Sequence, residues 1–189
     1  MRRQSETMVK FSKIDDNEFS RVLPATRLAQ LPITVEISAD RRDCAALALR
    51  FKLMDIASLT ARLTIMDDAK PGQVLVKGRL EAALTQACVV TLQPLEAQLA
   101  EGFEATFAVE GEEEVSASLA FELEEEQPEP FGPEGIDLGE LVAQQLMVAL
   151  DPYPRAGGAQ VAAEWAAPPQ EKIVKPSPFA VLKGMKARS

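Results

Sequence analysis

The chain has 189 residues, 47% hydrophobic and 26% charged, an ordinary composition for a globular domain with one core and some tail. It contains no histidine, which removes the commonest general base near neutral pH and the commonest metal ligand, and so argues against catalytic triads, zinc hydrolases and most acid–base enzymes. Its net charge of −9 is unevenly spread: 14 Lys/Arg face 10 Asp/Glu up to Arg79, Leu80–Pro154 holds 17 acidic residues and no cation, and 6 basic residues face 2 acidic ones from Arg155 onward.

Residues 1–10 read as a flexible terminus. Their basic start has no apolar stretch behind it, so no secretory signal is expected and the expected compartment is the cytoplasm. The longest apolar runs, such as Leu146–Leu150, are too short to cross a bilayer, and no membrane partner is expected. Loose alternation over Phe11–Val22 predicts a short edge strand. Ile33, Val35 and Ile37 share one face of a strand over Leu31–Ile37. Asp40, with Asp43 three residues on, predicts the start of a helix over Arg41–Leu53 with Cys44, Leu47, Ala48 and Phe51 inward. Strands are then expected over Leu59–Met66 and Gln73–Leu84, separated by the turn signal Asp67-Asp-Ala-Lys-Pro-Gly72. Ala87–Leu92 is dense and apolar and predicts a central strand. Gln98–Val109 predicts another, with Phe103, Ala105, Phe107 and Val109 inward and Glu101 and Glu104 outward. Val115–Leu123 alternates and reads either as a strand or as a loop that orders on binding. The Glu-rich stretch 122–133 reads as a solvated, mobile acidic loop. Asp137, with Glu140 in capping-box spacing, starts a helix over Leu138–Leu150, which Asp151-Pro-Tyr-Pro154 stops. Residues 155–189 read as an extended basic tail with one apolar block at 178–183. The expected fold is a single α+β domain over 11–154: an antiparallel, partly curled sheet, barrel-like or sandwich-like, with two helices and extended termini.

Patterns that carry chemistry are sparse. Gly102, Gly111 and Gly132 stand alone, and Gly157-Gly158 lacks the strand–turn–helix setting of a phosphate loop. Cys44 and Cys88 lie too far apart for metal spacing and are too few for a disulfide framework, so both read as free and partly buried. Glu112–Glu114 lacks the alternating Asp/Asn and Gly of a calcium loop. No catalytic residue, metal, cofactor or small-molecule substrate is expected. The acidic stretch has two readings, simple solubility or steering towards a basic partner. On the second, the candidate contacts are Glu101, Glu104, Glu112, Glu113, Glu114, Asp137, Glu140, Gln144, Asp151 and Tyr153. So acidic a body repels phosphates, so RNA contact would fall to the basic tail, with Phe179, Leu182, Lys183 and Lys186 as candidates. A carboxylate-based enzyme is the remaining alternative.

Three segments carry a family likeness. Gly78-Arg-Leu-Glu-Ala-Ala-Leu-Thr-Gln-Ala-Cys88-Val-Val-Thr-Leu-Gln-Pro94 resembles the central strand pair of the YceD-type family. Ile136-Asp-Leu-Gly-Glu-Leu-Val-Ala-Gln-Gln-Leu146 with Leu150-Asp-Pro-Tyr-Pro154 resembles its acidic helix-and-proline signature. Pro178-Phe-Ala-Val-Leu-Lys183 resembles its C-terminal block. The likeness extends over roughly Phe11–Lys186, in the wording of the alphaproteobacterial branch. It implies a non-enzymatic factor supporting accumulation of large-subunit ribosomal RNA. A basic large-subunit ribosomal protein is then the expected partner, with rRNA or the pre-ribosome reached indirectly or through the tails. Many relatives carry Cys-x-x-Cys centrally. Here Cys88 keeps the first position and Thr91 takes the second, so no metal role transfers and Cys88 reads as core.

Overall fold

Leu59, Ala61, Leu63 and Ile65 recur at every second position, and all four are buried along one side of a long strand. The computed structural model describes residues 17–109 and 127–160. The chain divides into two units, 1–157 and 158–189, and every described element lies in the first. In chain order these are β1 (Val22–Leu23), a 3-10 turn (Ala25–Gln30), β2 (Ile33–Ser38), α1 (Arg41–Phe51), β3 (Asp55–Asp67), β4 (Gln73–Ala87), β5 (Pro94–Val109), β6 (Glu129–Phe131), β7 (Ile136–Asp137) and α2 (Leu138–Ala149).

The main sheet has the order β2-β3-β4-β5-β6 and is open rather than closed into a barrel. It is antiparallel except for β5 and β6, which run parallel with Phe107 opposite Glu129 and Val109 opposite Phe131. β1 and β7 form a separate two-stranded pair, Val22 opposite Asp137 and Leu23 opposite Ile136. The hairpin between β3 and β4 closes where the turn signal predicts. Asp68 N–H donates to the Gln73 carbonyl at 3.0 Å, and Gly72 takes the positive φ of 77° that a side chain would resist.

The inner face of the sheet and the two helices share one core. Cys44, Leu47 and Ala48 of α1 and Leu138, Leu141, Val142, Ala143 and Leu146 of α2 are buried in it, with α1 against β3 and α2 against β1, β4 and β5. Burying each Leu or Val contributes about 1.5–3 kcal/mol, so apolar packing outweighs any single ion pair in holding α2. Gly78 sits at the centre of the sheet, opposite Leu63 and Phe103, and a Cβ there would collide with the Phe103 ring. The glycine therefore lets an aromatic side chain lie flat across the middle strand.

Four expectations are corrected. Of Ala87–Leu92, only Ala87 belongs to a strand. Leu92 N–H donates to the Cys88 carbonyl and Cys88 N–H to the Gln93 carbonyl, at 2.9 and 2.8 Å, and Leu92 takes φ 60°, so the run folds into the β4–β5 turn. Val109 is exposed at the end of β5, not inward. Within the expected acidic loop 122–133, Glu129–Phe131 forms β6, because Phe131 buries its ring in the core. The edge strand expected over Phe11–Val22 reduces, among the described residues, to Val22–Leu23, paired with β7 rather than with the main sheet. The expectations for residues 1–10, Val115–Leu123 and the 178–183 block lie outside the described residues.

Candidate partner interface

Asp137 begins α2 and accepts from the Gly139 and Glu140 N–H groups at 3.0 and 3.2 Å. The same carboxylate also takes Arg21 N–H at 2.8 Å and the Asn17 amide at 3.3 Å. One cap thus fixes both the helix start and the chain entering from residue 17. The close fit has a local cause: Gly139 presses against the Phe19 carbonyl, where a Cβ would have no room.

Glu140 does not complete the capping box that its spacing predicts. Its two oxygens take both terminal nitrogens of Arg50 on α1, at 2.7 and 2.8 Å, in a bidentate pair that Gln144 supports at 3.4 Å. The hydrogen bond from Arg50 holds the Glu140 carboxyl below its ordinary pKa, and Glu140 in turn raises that of Arg50. Asp137 and Glu140 are therefore spent largely inside the fold.

The other candidates are dispersed. Glu104 lies on the outer face of the sheet and meets Lys77 at 2.7 Å, directly opposite it on β4. Glu101 is exposed on β5. Asp151 accepts from Tyr153 N–H at 2.9 Å through its side chain and from the Gln86 amide at 3.0 Å through its carbonyl, and Tyr153 is 71% exposed. Glu112, Glu113, Glu114, Phe179, Leu182, Lys183 and Lys186 lie outside the described residues.

Two neighbouring carboxylates escaped sequence reasoning. Glu129 and Glu134 line a shallow groove of about 360 Å³ with Asp137, Glu140 and Gln144, over an apolar floor that includes Phe107, Phe131 and Leu141. Among the described residues no cation lines this groove, and neither Glu129 nor Glu134 has a salt bridge. The signal was present in Glu129-Pro-Phe131, where a large aromatic amid acids marks an anchored segment. A second groove crosses the outer face of the sheet between Glu36, Arg62, Lys77, Arg79 and Glu81, and there the signs alternate.

Cys88 is buried, as the sequence suggests, but in a turn rather than a strand. Its sulfur lies near the surface under a thin cover formed by the segment after α2: Ala156 N–H points at Sγ at 3.3 Å and Thr91 N–H at 3.4 Å, while Val89 N–H donates to the Pro154 carbonyl at 2.9 Å. The Thr91 side chain, then the Ala156 and Thr91 amides, bring the thiol down to about 6. Cys44 behaves oppositely: burial first, then Asp43, pushes its pKa up. Among the described residues no group of three or more His, Cys, Asp or Glu could hold a metal ion, and no helix is long and apolar enough to cross a membrane.

The fold and surface thus define a small α+β protein with an open sheet, one helix-covered face and an acidic groove beside its second helix. Residues 76–186, more than half the chain, match the model of the large ribosomal RNA subunit accumulation protein YceD, and the chain belongs to that family. The match runs from β4 onward and is shorter than the likeness over Phe11–Lys186. Comparison with curated proteins and with solved structures gives no match.

Proposed function

We propose that this protein is a non-catalytic, cytoplasmic factor in large-subunit ribosome assembly that binds a basic large-subunit ribosomal protein through its acidic body. The family's name supplies the pathway, accumulation of large-subunit rRNA. The observation that favours a protein partner over direct RNA contact is the groove beside α2, where, among the described residues, Glu129 and Glu134 stand with no salt bridge and no lining cation. Phosphates meet repulsion there, whereas Lys and Arg side chains meet attraction. Charges presented this way also speed encounter with a basic chain at low ionic strength.

Pull-down from lysate with the full chain, at low and at high salt, tests the reading. A basic large-subunit protein should be recovered at low salt and largely lost at high salt. Recovery of rRNA without any ribosomal protein would overturn it.

A further inference from the structure

The exposed side of α2 changes character along its length. Glu140, Gln144 and Met147 fall at positions i, i+4 and i+7, with Val148 beside Met147, so they line one stripe of the helix. At the N-terminal end this stripe borders the acidic groove. At the other end Met147 and Val148 are 52% and 79% exposed, with Tyr153 just beyond. Two large apolar residues this open at consecutive positions, with exposed Tyr153 following a few residues on in the chain, mark a contact surface more than scattered surface residues do.

Charge continues the pattern. α2 has no basic residue in its last turn, so no cation of the helix itself offsets its negative carbonyl end, and Asp151 follows directly. Arg155 is the nearest cation downstream of the stripe. A partner lying along α2 therefore meets the groove of Glu129 and Glu134 beside the first half, then apolar surface at the end. The 12 residues of α2 span about 18 Å, enough to seat a short segment of another chain.

We infer that α2 is a two-part docking track for one segment of a basic protein: Lys or Arg side chains lie over the groove of Glu129 and Glu134, and an apolar or aromatic anchor packs on Met147, Val148 and Tyr153. This deepens the proposed function and rests on it. The committed occupant is a cationic protein segment, because the track repels RNA phosphate and, being itself acidic, repels a second copy at its groove end.

The test places a photo-crosslinking amino acid at Gln144, at Val148 and, on the outer face of the sheet, at Thr34 and Thr60. The full chain is mixed either with protein extracted from purified large subunits or with purified large-subunit rRNA. Crosslinks from Gln144 and Val148 to a basic ribosomal protein, and none from Thr34 or Thr60, are expected. Binding of the crosslinked protein is then measured against salt. Glu129→Lys with Glu134→Lys should weaken binding about tenfold and flatten its salt dependence. Met147→Ser with Val148→Ser should weaken it about tenfold through faster dissociation, with the salt dependence retained. Circular dichroism checks that both variants fold. Crosslinks from α2 to rRNA or to a second copy overturn the track, as does unchanged binding in either folded variant. A ribosomal protein crosslinked only from Thr34 or Thr60 overturns the track but leaves the wider reading standing. No ribosomal protein at any position overturns both.

Discussion

The two helices open on the same sequence signal and resolve it differently. In α1, Asp40 accepts from Arg42 and Asp43 N–H at 2.7 and 2.8 Å, and Asp43 turns back to Asp40 N–H at 3.2 Å, closing a reciprocal box. In α2, Asp137 caps in the same way, but Glu140 leaves its own helix for Arg50. Asp43 also has a long-range partner, Arg21 at 2.6 Å, yet its short side chain serves both that cation and the box. Glutamate, one methylene longer, reaches across to α1. Spacing therefore predicts where a helix starts, while side-chain length and the nearest cation together decide what the acid at the third helical position does.

The largest break in this comparison should come at Asp43, whose side chain is nearly buried. Asp43→Ala strips the box and leaves Arg21 facing a hole, and should cost about 3 kcal/mol in urea unfolding. Asp137→Ala removes the cap and the anchor for Arg21 and Asn17, at about 2 kcal/mol. Glu140→Gln should cost only about 1 kcal/mol, because its pair with Arg50 is partly open to water. This smaller loss carries a pH signature. The folded carboxyl lies below its unfolded value, so the advantage of the native residue is full above about pH 4.3 and fades as pH falls through the lower folded value. Lys77→Ala, which breaks the exposed pair with Glu104, should change stability by about 0.5 kcal/mol or less. The acidic start of α1 also sharpens a contrast between thiols, read as thiolate absorbance. Cys88 should titrate near 6 and lose that step in Cys88→Ser, while Cys44 should ionise only above its ordinary range. As a group depressed on folding, Cys88 contributes stability at high pH that disappears as pH falls through about 6.

Local patterns made much of the fold legible. Period-two alternation located β3 and β4, the Pro-Gly turn joined them, and Asp40 and Asp137 marked both helix starts. Long-range neighbours hid the rest. The run Cys88-Val-Val-Thr-Leu92 reads as a core strand because it is apolar, yet Cys88 is covered by the segment following α2, and Leu92 is 75% exposed. The candidate site was blurred for a similar reason. Counting charge along the chain sets Lys77 and Arg79 apart from the acidic stretch, but antiparallel pairing puts Lys77 directly beside Glu104. Register thus neutralises part of the sequence's charge segregation, while Glu129 and Glu134, set together in one groove, have no salt bridge among the described residues.

The pairs of Arg50 with Glu140 and of Arg21 with Asp137 have a consequence for inheritance. Each joins a residue before position 76 to one after it, across the edge of the family match. The two halves of the fold are therefore not independently exchangeable. A chimera taking its C-terminal half from a relative without these acids would leave Arg50 with Glu18 as its acidic partner and the Arg21 backbone N–H without the carboxylate that accepts from it. Substitutions at positions 50 and 140 should accordingly travel together, whereas position 21 serves Asp137 through its backbone N–H and for that contact needs only to avoid proline.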